Sequence, residues 1–292
     1  MGSVRVTRVT VVSDSHLSER TPEASANWRA AVDHIAAAPP DAVVHAGDIS
    51  TDGARLPADL DFARRALDEM ERAGVRLFAL PGNHDVGENP YGPGSPGGDG
   101  GDGPDEYPLV SPERLARYRD AFGPDRWVVD VGDWRLVGLD ALLLGSGLPD
   151  EDDQWGWLSS ALSGPRHVAL FLHKPLVDPP DRPDPSSPGR YVVPAARQRL
   201  ARVLGEAGSV RAVVSGHVHQ FRTHAENGLA HVWAPTTWAV LPDRIQPVLG
   251  AKACGIVELS LGSDGTVGVN MRRPADLAHW VIADDITDPY ET

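Results

Sequence analysis

The chain has 292 residues, 41% hydrophobic and 23% charged, enough to bury a sizeable core in one large domain or two ordinary ones. Its net charge of −14, from 41 Asp and Glu against 27 Lys and Arg, argues against a long DNA or RNA partner, because nucleic-acid binders present a basic face. No apolar run approaches the roughly 18 residues of a membrane span, the opening MGSVRVTRVT carries no cleavable-signal pattern, and a single cysteine, Cys254, excludes an internal disulfide and fits a reducing cytoplasm.

Taken in chain order, Val- and Leu-rich runs predict strands and amphipathic segments predict helices. A strand at 4–13 precedes a helix over 23–38, and a strand at 41–46 precedes a helix over 58–74. In the second helix Leu60, Ala63, Leu67 and Met70 fall near helical spacing, and Gly74 supplies the stop. A strand at 75–80 and a helix over 111–123 follow, then a hairpin of strands 126–131 and 134–140 turning about Gly132. A helix over 152–164, a strand at 167–172 and a helix over 193–208 come next. The chain closes with strands at 210–215, 229–234, 253–261 and 266–271. Early alternation of strand and helix predicts an α/β fold with parallel pairing, and the strand-rich last third predicts a mixed sheet.

Two segments break this rhythm. Residues 86–110 contain 8 Gly and 5 Pro, and residues 173–190 contain 6 Pro. Both read as loops, either plain connections or lids over a site. The α/β pattern resumes after the first loop, so 1–271 reads as one domain. The segment 272–292 reads as a C-terminal extension with three open placements: packed on the body, covering a site or joining subunits. Homo-oligomerisation is left open.

Chemistry collects where the strands end. The first run finishes in SDSH with Asp14 and His16, the second in HAGD with Asp48, and the third in GNHD with Asn83 and His84. Two later runs finish in LHKP with His173 and in SGHVH with His217 and His219. In open α/β sheets, sites assemble at the carboxyl ends of strands. Carboxylate, imidazole and amide oxygen, with no thiolate set, suit divalent Mn, Fe, Zn or Co. Two ions about 3.5–4 Å apart form a clamp for phosphoryl chemistry and need a bridging ligand, a role open to Asp48 with its two oxygens.

The set D-x-H, G-D, G-N-H-D, H, G-H-x-H, in that order from Asp14 to His219, resembles the calcineurin-like metallophosphoesterase superfamily. The resemblance implies a four-layer α/β/β/α sandwich of two mixed sheets flanked by helices. It implies one ion, divalent or trivalent, held by Asp14, His16, Asp48 and His219, and a second held by Asp48, Asn83, His173 and His217. It also implies in-line attack on phosphorus by metal-activated hydroxide, without a covalent intermediate. His84 would protonate the leaving alkoxide or hold the phosphate. DDQWGWLSSAL, LHKPL and APTTW look most like the bacterial class III cyclic-nucleotide phosphodiesterase branch. The implied substrate is a small phosphodiester such as a 3′,5′-cyclic nucleotide. A phosphomonoesterase acting on a nucleotide, sugar phosphate or other metabolite is the alternative. A non-catalytic scaffold on the same fold is the minor one, since no ligand of the pattern is missing. In some relatives an Asp three residues beyond the GD aspartate orients the catalytic histidine; here that position is Thr51.

Further substrate-binding candidates are Asn83 and His84 themselves, Lys174 for a phosphate oxygen, His224 at a pocket rim, and Trp238, with Tyr191, for stacking on a base. Each has a plain alternative in solvation or aromatic packing. His45 reads as core packing behind the site. Asp85 reads as a turn residue or an orienter of its neighbours.

Overall fold

The computed structural model describes residues 5–90, 107–177 and 188–290. Most of the Gly/Pro-rich loop 86–110, and the middle of 173–190, lie outside the described residues. The elements are β1 (Val6–Val12), α1 (Pro22–Ala37), β2 (Ala42–His45), α2 (Pro57–Arg72), β3 (Leu77–Ala79), α3 (Asn83–Val86) and α4 (Pro112–Phe122). They continue as β4 (Trp127–Val131), β5 (Trp134–Leu139), α5 (Pro149–Ala161), β6 (His167–Leu172), α6 (Pro194–Ala207) and β7 (Val210–Ser215). The last are β8 (Arg222–Glu226), β9 (Leu229–Trp233), β10 (Ile256–Gly262) and β11 (Val267–Arg272).

All five long helices begin on a proline. The ring fixes φ near the helical value, and its missing N–H sits where no intrahelical bond exists. Ser111 caps α4 by accepting the Arg114 N–H at 3.3 Å, and Gly208 closes α6 in the left-handed region at φ 63°.

The strands form two sheets, in the orders β11-β10-β1-β2-β3 and β4-β5-β6-β7-β9-β8. β1, β2 and β3 are parallel, as are β5, β6, β7 and β9; β10 pairs antiparallel with β1 and β11 with β10, while β4 and β8 pair antiparallel with β5 and β9, so both sheets are mixed. Alternation along the strands divides the apolar residues between two layers. Val9, Val11 and Val44 meet Leu136, Phe171 and Val214 in the seam between the sheets. Val12, Val43, Val137, Leu139 and Leu170 face outward against helical residues such as Trp28, Met70, Leu158 and Leu200. The result is a four-layer α/β/β/α sandwich. Among the described residues no helix is long and apolar enough to cross a membrane.

One strand was absent from the sequence reading. β8 (RTHAE) is an edge strand whose only apolar residue is Ala225, so it carries no hydrophobic alternation. The four-residue α3 was also absent, being too short for periodicity to reveal it.

Candidate metal centre

The parallel strands β1, β2 and β3 of one sheet and β6 and β7 of the other all run toward one edge of the sandwich. Their terminal loops are laced together there. The Asp14 N–H donates to Gly47 O at 3.0 Å, the His16 N–H to Asp48 O at 3.1 Å, and the Gly216 N–H to His173 O at 2.9 Å. Across the sheets, the His217 N–H lies 3.0 and 3.1 Å from the two Asp14 carboxylate oxygens.

Five of the seven non-glycine residues with positive φ among the described residues are Asp14 (52°), His16 (44°), Asp48 (52°), His217 (68°) and His219 (56°). Left-handed backbone costs a β-carbon-bearing residue roughly 1–2 kcal/mol. Strain of this kind persists where surrounding contacts over-determine it, typically at functional sites. In both D-x-H and H-x-H the two outer residues take this conformation, and their side chains converge on the cluster.

Two groups of side chains result. Asp14, His16, Asp48 and His219 offer ligand atoms all within 4.8 Å of one another, and so do Asp48, His173 and His217. Asp48 belongs to both. In the first group His16 Nε2 is 3.1 Å from His219 Nε2 and 3.8 Å from Asp48 Oδ2, and His219 Nε2 is 3.4 Å from Asp14 Oδ1. In the second, His173 Nε2 is 3.2 Å from Asp48 Oδ2, from Asn83 Oδ1 and from His217 Nδ1.

Neighbouring hydrogen bonds decide which ring nitrogen faces inward. His173 Nδ1 lies 2.8 Å from Ala46 O, and His219 Nδ1 lies 2.6 Å from Ala239 O. Each Nδ1–H donates outward, so each Nε2 turns a lone pair toward the cluster. Ring nitrogens, an amide oxygen and carboxylate oxygens thus crowd at about 3 Å. That is the edge length expected for ligands about 2.0–2.1 Å from a shared ion at right angles. The donor set therefore fits divalent metal binding.

The charges agree. Burial disfavours the charged form of His16 and His217 and holds both well below the usual histidine range, with neighbouring histidines adding to the effect. His173 is buried too, yet the adjacent Asp48 carboxylate pushes it up to about 9. Burial likewise opposes the upward shift of His219, and Asp14 overcomes it. Asp48 is held well below the carboxylate range despite its burial, chiefly by His173.

Room at the centre is tight. Gly82 packs so closely that a β-carbon would sit 2.1 Å from Asp48 Oδ1 and 2.2 Å from its backbone nitrogen. Gly47, at φ +98°, lies against His173, where a β-carbon would meet Nδ1 at 2.4 Å. Asp85 ties the GNHD and GD loops together. Its carboxylate accepts from the Gly82, Ile49 and Ser50 N–H groups at 2.9, 3.1 and 2.9 Å, and from Ser50 Oγ at 2.6 Å.

His84 stands beside the cluster. Its backbone N–H donates to Asp48 Oδ1 at 2.8 Å, and its Nδ1 lies 2.9 Å from Thr51 O. Thr51, at the position where some relatives carry an orienting aspartate, thus orients the ring through its carbonyl. The bond uses Nδ1, so Nε2 is the nitrogen left to meet a substrate.

The remaining candidates have other partners. Lys174 is fully buried and ion-paired with Glu88. Trp238 is also fully buried; its Nε1 donates to Glu23 Oε1 at 3.0 Å and its ring packs 4.9 Å from His16, so it backs a cluster residue. His224 stacks on His231 across the β8–β9 pair at 4.9 Å and 14°. Tyr191 is buried against Trp233. His45 is buried, with Nε2 2.6 Å from Ser15 Oγ and its ring 5.9 Å from Trp28.

Two tyrosines were missed. Tyr107 donates its hydroxyl to Asn83 O at 3.1 Å and sets its ring edge-on to His84 at 5.4 Å. Tyr290 places its hydroxyl 2.9 Å from His16 Nδ1 and 3.2 Å from Thr51 O. Both stand beside polar or Gly/Pro-rich sequence, where a lone aromatic is the one available signal.

Comparison with known proteins agrees with this geometry. The chain is 28% identical over 249 residues to the 3′,5′-cyclic adenosine monophosphate phosphodiesterase CpdA of Pseudomonas aeruginosa, covering 82% of this chain and 77% of that one. Its fold is similar to a dimetal phosphatase from Danio rerio, with a TM-score of 0.58 and 15% identity over 92% of this chain and 99% of the other. It is also similar to the purple acid phosphatase PPD1 of yellow lupin, with a TM-score of 0.59 and 15% identity over 97% of this chain and 55% of the other. The model of the calcineurin-like phosphoesterase family matches residues 7–221, which takes in every cluster residue, so the chain belongs to that family and is a phosphoric ester hydrolase.

Proposed function

We propose that the chain hydrolyses small phosphodiesters, with 3′,5′-cyclic nucleotides as the leading substrate class, at a two-metal centre. The observation that carries this reading is the membership of Asp48 in both ligand groups. Asp14, His16, Asp48 and His219 would hold one ion, and Asp48, Asn83, His173 and His217 the other. Mn, Fe, Zn and Co all suit these donors. Bound ions of this kind supply Lewis acidity to phosphoryl oxygens and lower the pKa of a bound water toward about 7.

The chain's own contribution is placement and a proton. Asp48 Oδ1 accepts the His84 N–H, so the shared ligand and the acid candidate are fixed to each other. As an imidazolium, His84 keeps its Nδ1 proton on Thr51 O and gives its Nε2 proton to the departing oxygen. What remains is the neutral tautomer that the Thr51 carbonyl already favours.

The similarity to CpdA, through most of both chains, supports a diester over a monoester. The acidic balance of 41 to 27 supports a small substrate over a polyanion. The single cysteine, buried and unpaired, supports a cytoplasmic setting. The test is parallel turnover of cyclic AMP, 5′-AMP, a glycerophosphodiester and bis-nitrophenyl phosphate by metal-analysed protein. Preference for cyclic AMP is expected, and preference for 5′-AMP would replace this reading with a phosphomonoesterase.

A further inference from the structure

The C-terminal segment does not trail from the body. Asn27 of α1 holds it at Ala278 through two hydrogen bonds, of 3.0 and 2.8 Å. Val281 bridges to Val240, and Ile282 and Ile286 pack with Trp238. Arg20 then donates to Pro289 O at 3.2 Å, which delivers Tyr290 to the cluster.

We propose that Tyr290 is a positioning residue of the metal centre, holding the His16 ring as a ligand and joining it to His84 through the Thr51 carbonyl. If His16 is to bind an ion through Nε2, the nitrogen that faces His219, its proton must sit on Nδ1. That proton has an acceptor in Tyr290 Oη, 2.9 Å away. The tyrosine hydroxyl then donates its own proton to Thr51 O at 3.2 Å. The same carbonyl takes the His84 Nδ1–H at 2.9 Å, which uses both of its lone pairs. One residue from the end of the chain thereby fixes the tautomer of a ligand on β1 and the acceptor of the acid candidate on α3. Its ring also lies 4.9 Å from that of His84 and walls that side of the site. This inference rests on the two-metal reading.

The test is a chelator series on the Mn2+-loaded full chain, counting ions retained, with Tyr290→Phe beside the wild type. An outer partner of a ligating histidine is typically worth 10–100-fold in metal affinity. In Tyr290→Phe the first ion should leave at about tenfold less chelator, while the midpoint for the second ion and the thermal midpoint of the metal-free protein stay put. Should that variant fail to fold, deletion of residues 288–292, which leaves Ile282 and Ile286 in place, must give the same split. Unchanged retention, or equal weakening of both ions, would overturn the inference while leaving the two-metal reading intact. A wild-type chain that retains fewer than two ions would overturn both.

Discussion

Replacing His84 by alanine separates proton donation from metal binding, because the two depend on different atoms of the residue. The bond to Asp48 Oδ1 comes from the backbone N–H at 2.8 Å and survives the substitution. The ring, held by Thr51 and lying among His16, Tyr107 and Tyr290 at centroid distances of 4.8, 5.4 and 4.9 Å, is lost. Metal content should therefore stay at the wild-type value. General acid help is worth ~10²–10⁴-fold, or roughly 3–5 kcal/mol of barrier at about 1.36 kcal/mol per tenfold. It matters most for a poor leaving group. An alkoxide needs the proton as the P–O bond breaks, whereas a nitrophenolate leaves without one. The assay is kcat for His84→Ala on an alkyl phosphodiester and on bis-nitrophenyl phosphate, with metal content measured on the same samples. A loss of at least about 100-fold on the first and less than about tenfold on the second is expected. Equal losses on both substrates, or loss of metal, would refute the acid role.

Asp48→Asn should reduce the metal content by at least one ion per chain and lower diester turnover by more than the roughly 100-fold upper range typical of outer-shell partners; elemental analysis and kinetics on the same sample check this. Gly82→Ala places a β-carbon 2.1 Å from Asp48 Oδ1. It should cost ~1–3 kcal/mol of stability through overpacking, read as a fall in the denaturation midpoint, together with weaker metal retention. His231 is buried, and burial first, then the neighbouring His224, push its pKa down to about 4. The fold therefore prefers the neutral ring. The associated stability is present above the unfolded-state value near 6.5 and is lost as pH falls from there to about 4, a change of about 3 kcal/mol. His231→Phe should flatten that part of the stability curve measured by denaturant titration, and an unchanged slope would count against the assignment.

The parts of the site legible in the sequence were those that strand ends impose. A parallel strand must stop at the same edge as its neighbours, so polar residues just past Val12, His45, Ala79, Leu172 and Ser215 are brought together by topology alone. Residue type then suffices to suggest what the edge binds. The left-handed backbone at Asp14, His16, Asp48, His217 and His219 was not legible, because none of these five positions is itself a glycine. Tyr290 was out of reach for a different reason. Its place depends on a chain of contacts through Asn27, Val240 and Arg20, each distant in sequence and none periodic. The ion pair of Lys174 with the partly buried Glu88 was not legible either, since the two lie far apart in sequence. Helix starts shifted by one residue, and in α5 by three, onto prolines that the hydrophobic pattern does not weigh.

Everything proposed for the reaction requires one carboxylate to serve two cations. Anomalous diffraction from crystals of the Mn2+-loaded protein would locate the ions directly. Two peaks within reach of Asp48 are predicted, one shared with Asp14, His16 and His219 and the other with Asn83, His173 and His217. A single peak, or two peaks that do not both contact Asp48, would contradict the account.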